Sequence, residues 1–235
     1  MQLSVKDVAR LINIDEKTIY QWIRQDNIPY YRINAEYRFN RADLLEWATT
    51  RRIKFNTNMF IADDEKDAEM PGITQALRVG GIIYHVSGSD QASVLRSVVE
   101  AMKLPEAVEK DFLYSVLLAR ETLGSTGVGG GIAIPHVRNP VVLHSATASA
   151  TLCFLENAID FKAMDGQPVN ILFTLISPTV QAHLHLLSRL GLLLHDPEFK
   201  DALHRQASAE VILALAAKVE ARLPRRAEDP DKPVQ

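Results

Sequence analysis

"RETLGSTGVGGGIAIPHVRNP", residues 120–140, sets five glycines, a Ser-Thr pair, two arginines and one histidine in a single run. Three common glycine-rich motifs fail against it. A Walker loop needs Gly-x4-Gly-Lys-Ser/Thr, with the lysine on the β/γ-phosphates, and no lysine occurs from 111 to 161. A dinucleotide fingerprint needs Gly-x-Gly-x-x-Gly, but Gly127 and Gly129 are followed by Ile132 in the third position. A nucleophile elbow needs Gly-x-Ser-x-Gly, and Ser125 has Leu123 two places before it. What remains is a loop leading into a short strand, Ile132-Ala133-Ile134, which Pro135 ends. Upstream, residues 105–120 predict a helix with Pro105 near its first turn and Val108, Phe112, Val116 and Ala119 on one face. Arg120 stands at its C-terminal end. A histidine on a rigid strand end, among glycine amides and one guanidinium, suits a phosphoryl group, whose charge spreads over three oxygens during transfer.

The rest of the chain bounds this reading. At 235 residues and 47% hydrophobic it is long enough for one large domain or two small ones. The net charge of −3 gives no global polybasic character, yet residues 1–60 carry ten Lys/Arg against seven Asp/Glu while the remainder carries 16 against 22. The single cysteine, Cys153, excludes an intramolecular disulfide and a Cys-rich zinc module. The polar start "QLSVKDVAR" is no signal peptide, and runs such as "ILFTLI" fall far short of a membrane span. The expectation is a cytoplasmic protein without membrane insertion. Composition divides it into a module at 1–54, a linker at 55–73, a domain at 74–222 and a charged, Pro-rich tail at 223–235 expected to be disordered. Around that linker, Ile73, Leu77 and Val79 are candidates to dock on a neighbouring domain.

The N-terminal stretch is dense in helix punctuation. Ser4 with Asp7 makes a capping box, Asp15 caps "EKTIYQWIRQ", and Asn40 with Asp43 caps "RADLLEWA". On the second helix Ile19, Trp22 and Ile23 form a core stripe, so Lys17, Gln21 and Arg24 face the other way with Thr18 and Tyr20 on the flanks. "PYYRINAEYRF" alternates as a hairpin around Asn34-Ala35-Glu36. In this order of elements, "LSVKDVARLINIDEKTIYQWIRQDNIPYYRI" followed by "YRFNRADLLEW" resembles the excisionase/MerR-like winged helix-turn-helix family. The resemblance implies a helix at 15–25 entering a DNA major groove, with Lys17, Thr18, Gln21 and Arg24 toward DNA and wing residues Arg32 and Arg38 on phosphates. A single module binds weakly, so an operator complex calls for a homodimer.

The opening stretch itself resembles the active-site signature of the fructose/mannitol/nitrogen-type enzyme IIA domains of the phosphotransferase system. The matching residues are Arg120-Glu121, Leu123-Gly124-Ser125-Thr126-Gly127, Gly129 and Gly131-Ile132-Ala133-Ile134-Pro135-His136. The likeness extends over roughly 74–222, including "IDFKAMDGQPVNILFTLISP", and is most like the nitrogen-regulatory branch. It implies that His136 accepts a phosphoryl group, that Arg120 stands in the active site, and that His183 in "SPTVQAHLHLLSRL" is its neighbour. Ser125, Thr126 and Gly127 either bind phosphoryl oxygens or hold the loop as turn residues. His183 and His185 lie about 200° apart on a helix, so they do not share one metal. Gly130 and Val137 depart from the family's usual residues without removing a group the chemistry needs.

The fold expected is an α/β C-terminal domain, a mixed sheet flanked by helices in three layers, with a small N-terminal winged helix-turn-helix domain. The partners implied are a phosphorylated histidine carrier protein, DNA and regulatory protein targets, and no metal or cofactor is called for. Three function classes stay open: a phosphoryl-sensing transcription regulator, a sugar-transport IIA component passing phosphate to a IIB domain, and an interaction module in which His136 is vestigial. The attached DNA-binding module, and the absence of a IIB sequence with its nucleophilic cysteine, favour the first.

Overall fold

The computed structural model describes residues 2–33, 36–40, 43–44, 47–48, 51, 53, 70–105, 108–137 and 147–222. The expected linker therefore lies largely outside the described residues, the tail wholly so, and half of the helix expected over 41–48 with them.

In the N-terminal part, β1 (Gln2–Leu3), α1 (Val5–Ile12), α2 (Glu16–Arg24), β2 (Tyr31–Ile33) and β3 (Glu36–Asn40) follow in order. The capping box at α1 is complete, with Ser4 Oγ accepting from the Asp7 amide and the Asp7 carboxylate accepting from the Ser4 amide. Asn13 in the left-handed region (φ 53°) stops α1, and Asp15 caps α2 two residues later. The antiparallel sheet runs β1-β3-β2, so a two-residue strand that the sequence did not signal completes the wing. Val8, Leu11, Ile12, Ile19, Ile23, Ile28, Phe39 and Leu44 fill the core beneath it. Trp22, half-buried, meets Trp47 edge-on at 5.3 Å.

The C-terminal part is a three-layer α/β domain around a mixed sheet of order β4-β7-β8-β6-β5. Its strands are β4 (Ile82–Val86), β5 (Gly127–Gly129), β6 (Ile132–Ala133), β7 (Ser149–Ile159) and β8 (Val169–Ile176). β8 is central, parallel to β6 and antiparallel to β7, which explains why its apolar residues fall on both faces. Alternation splits each inner strand between two faces. Leu152, Phe154, Ile171 and Phe173 join the core with helices α3 (Ile73–Gly80), α6 (Val180–Leu193), α7 (Pro197–His204) and α8 (Ala209–Arg222). Cys153, Leu155, Leu172 and Ile176 join that with α4 (Gln91–Ala101) and α5 (Lys110–Thr122).

Two expectations fail here. The helix before the glycine loop starts at Lys110 rather than near Pro105, and it buries Leu113, Leu117, Arg120 and Glu121 while Phe112 stays 44% exposed. Apolar residues line two faces of this helix, and the polar pair at its end decides which one turns inward. Ile73 and Leu77 offer no free docking surface, because α3 buries both on β7 within their own domain; of the three apolar candidates only Val79 faces out. The N-terminus of α3 is held from far away: the Glu220 carboxylate on α8 accepts from the amides of Ile73 (2.8 Å) and Thr74 (3.1 Å). At its other end Gly80 lies so close to β7 that a Cβ there would stand 2.3 Å from the Ala150 carbonyl oxygen.

Candidate functional site

Helix α5 delivers Arg120 and Glu121 to the mouth of the glycine loop, and both are buried. Arg120 Nη1 donates to the Gly124 carbonyl at 2.9 Å, tying the helix end to the loop's entrance. The loop then descends through β5, and three consecutive glycines with positive φ (Gly129 81°, Gly130 60°, Gly131 73°) reverse it into β6. Asp165 Oδ2 accepts the Gly130 amide at 2.7 Å, so the backbone at this departure from the family pattern is pinned by a neighbouring loop.

His136 follows β6, and a parallel bridge to Leu175 keeps it in line with β8. Its ring is 3% exposed, and Nδ1 lies 2.7 Å from the Ile134 carbonyl oxygen. A carbonyl oxygen only accepts, so in the neutral ring the proton sits on Nδ1 and the lone pair on Nε2. The same bridge explains His183. One residue after Leu175 the strand ends, Thr179 caps α6 by accepting the Ala182 amide, and the helix's first turn carries His183 to a ring-centroid distance of 5.1 Å from His136. His183 is 3% exposed, its Nδ1 makes no hydrogen bond, and burial, with His136 beside it, pushes its pKa down to about 3. It is a neutral imidazole at any physiological pH. His185 is half-buried, its pKa pushed down to about 4 by burial first and by Arg189 next.

The hydroxyls of the Ser-Thr pair both donate hydrogen bonds within the protein. Ser125 Oγ donates to the Phe161 carbonyl (2.5 Å) and accepts the Gly127 amide (3.0 Å). Thr126 Oγ1 donates to Glu121 Oε2 (2.7 Å), and its amide donates to Glu121 Oε1 (2.9 Å). The turn-holding alternative accounts for these bonds. Gly127 itself leaves no room for a side chain, since a Cβ there would lie 2.6 Å from that of Ala163. Burial pushes the Glu121 pKa up, while its bonds from Thr126 and the charge of Arg120 pull it down. Glu121, Gln91 (2.9 Å from the Phe161 carbonyl) and that carbonyl were not among the expected site residues. Glu121 stands inside the motif, but a backbone acceptor leaves no trace in a sequence.

On α2, Lys17, Gln21 and Arg24 are all exposed, as the helical spacing requires. Thr18, half-buried, differs: its hydroxyl donates to Asp15 at 3.1 Å and completes the cap. On the wing, Arg32 donates to the Tyr37 hydroxyl at 2.5 Å and lies 4.7 Å over the same ring, while Arg38 pairs with Glu36. Among the described residues no cluster of His, Cys, Asp or Glu fits a metal ion, and no helix is long and apolar enough to cross a membrane.

Residues 75–219 match the family described as phosphoenolpyruvate-dependent sugar phosphotransferase system, EIIA 2, and residues 3–52 match a helix-turn-helix domain. The nitrogen regulatory protein of Pseudomonas aeruginosa is 33% identical over 152 residues, which are 63% of this chain and 96% of that protein. The fructose-specific EIIABC component of the Bacillus subtilis phosphotransferase system is 30% identical over 60% of this chain but only 22% of its own length. The crystal structure of nitrogen regulatory protein IIA-Ntr from Neisseria meningitidis superposes with a TM-score of 0.54 at 26% identity, covering 61% of this chain and 98% of that one. Fold and loop together define a phosphoryl-transfer domain of three-layer α/β build, carried behind a helix-turn-helix domain. The chain belongs to the EIIA type 2 family of the phosphotransferase system, and its C-terminal part is similar to nitrogen regulatory proteins.

Proposed function

We propose that this protein is a nitrogen-regulatory-type IIA component that takes a phosphoryl group on His136 from a phosphohistidine carrier protein and regulates transcription through its N-terminal DNA-binding domain. The observation that carries the first half is the Nδ1 bond of His136 to the Ile134 carbonyl, which leaves Nε2 as the nucleophile. Nε2 attacks phosphorus in line. The new P–N bond forms as the carrier's P–N bond breaks, and the carrier ring, protonated on its other nitrogen, leaves as neutral imidazole. The phosphoryl group arrives already activated, so the step draws on positioning and electrostatics. Arg120 offsets developing negative charge, and the neutral His183 ring can offer an N–H without adding charge to the pocket.

Incubation with phosphorylated carrier protein should add one acid-labile phosphoryl group, absent from His136→Ala. Stoichiometric label on that variant would end the reading. The DNA half is supported by the exposed Lys17, Gln21 and Arg24 on α2. It predicts operator binding that weakens steeply with salt, because phosphate contacts release counterions. Its link to the phosphoryl state should appear as at least a 5-fold change in operator affinity on phosphorylation, the scale of ordinary allosteric coupling. Identical titrations of the two forms would mean that the two halves merely share a chain, with the phosphoryl signal read by another partner; the alternative reading is a transport component that passes phosphate to a IIB domain.

A further inference from the structure

We infer that Glu121 is a positioning residue that orients the His136 ring through a relay of main-chain hydrogen bonds, an inference that deepens the phosphoryl-acceptor reading and rests on it. The relay has three links. Both carboxylate oxygens of Glu121 are given to Thr126, at 2.9 Å from its amide and 2.7 Å from its hydroxyl. The Thr126 carbonyl accepts the Ile134 amide at 3.0 Å. The Ile134 carbonyl then receives His136 Nδ1 at 2.7 Å. Every side chain in the relay is buried: Glu121 is 6% exposed, Thr126 3%, Ile134 2% and His136 3%.

The in-line reaction itself makes no use of Glu121, yet a carboxylate removed from water costs free energy that its hydrogen bonds must offset. Two-point bonding fixes Thr126 more tightly than either bond alone, and Thr126 is where the loop crosses to β6. The carbonyl that sets the His136 tautomer is thereby held from the end of α5, the helix that also carries Arg120. One helix end therefore places both the guanidinium and the imidazole. Oriented reactants owe much of their rate to such placement, and a 1 Å error can cost about 10²-fold.

Two readouts on the full-length chain test this: the single-turnover rate against phosphorylated carrier, separated from carrier affinity, and the ¹⁵N shifts of the His136 ring nitrogens. Glu121→Ala should slow transfer by about tenfold or more with carrier affinity unchanged, and should move His136 away from the pure Nδ1–H tautomer. Glu121→Gln should stay within a few-fold of native, because its carbonyl accepts the Thr126 amide and its NH₂ donates to the Thr126 hydroxyl. A folded Glu121→Ala protein with native rate and native ring shifts overturns the inference, as does Gln failing to rescue both. If Glu121→Ala does not fold, Thr126→Val decides: a slower rate with shifted ring signals supports the relay, and native values of both refute it. The ring shifts need no phosphoryl donor. Failure of His136 to take label would therefore sink the acceptor reading while leaving the relay measurement standing on its own.

Discussion

The loop at 120–136 and the face of α2 carry similar numbers of polar groups but hold them in opposite ways. Around His136, Arg120, Glu121, Thr126 and His183 are all buried, and the bonds of Glu121 and Thr126 are committed before any partner arrives. On α2, Lys17, Gln21 and Arg24 stand in water above a core that does not use them. A small, transient charge redistribution on phosphorus is stabilised best by groups that need not move. A nucleic-acid surface is met by flexible cations that exchange counterions for phosphates. Substitutions in the first region should thus change rate and stability together, whereas those in the second should change affinity alone.

The largest test of that contrast is Arg120→Ala. Loss of one preorganised donor should slow single-turnover transfer about 10²–10³-fold, and loss of the Gly124 bond should also lower the melting temperature. An unchanged rate with lowered stability would reduce Arg120 to a loop anchor. Next comes pH. His183 has a folded pKa of about 3 against an unfolded value near 6.5, so the unfolded chain binds the proton first. Stability is full above pH 6.5 and falls as the pH drops toward 3. Between pH 7 and 5 this histidine should remove roughly 2 kcal/mol, His185 adds a loss of the same sign, and His183→Gln should flatten the slope in chemical denaturation. Third, Arg24→Ala should cost about 1–3 kcal/mol of specific DNA binding if it reads a base edge, with no shift in melting temperature; a drop in both would break the contrast. Smallest is Ser4→Ala, which removes the capping box of α1 at about 1 kcal/mol and should leave phosphoryl transfer untouched.

What the sequence disclosed follows locality. Between 120 and 136 the chemistry is contiguous, so the loop, the strand and the histidine could all be read directly. His183 sits 47 residues further along the chain and reaches the site only through the β8–α6 path; resemblance to a family named it, and spacing did not. The inward face of α5 was missed because helical periodicity counts apolar residues, and here the buried face ends in Arg120 and Glu121. The sequence left two roles open for the Ser-Thr hydroxyls and could not name their partners, since one of these is the main-chain carbonyl of Phe161. The start of α3 was hard to read for a related reason: its N-cap, Gly72, supplies no side chain, and the carboxylate that serves it is Glu220.

That carboxylate has a consequence for the order in which the molecule is made. Ile73 and Glu220 are 147 residues apart, and the glutamate lies in the last turn before the described chain ends at Arg222. A ribosome adding about 5–20 residues per second would finish α3 roughly 7–30 s before its cap exists. During that interval the helix has two amides without their acceptor, and β7, on which it packs, is itself still being translated for the earlier part. The winged module carries its capping groups within a few residues of the helices they serve, so it can close while the rest is unborn. The C-terminal domain completes itself only with α8, and a nascent chain stalled short of Glu220 would present a finished helix-turn-helix domain on an unfinished EIIA-type domain.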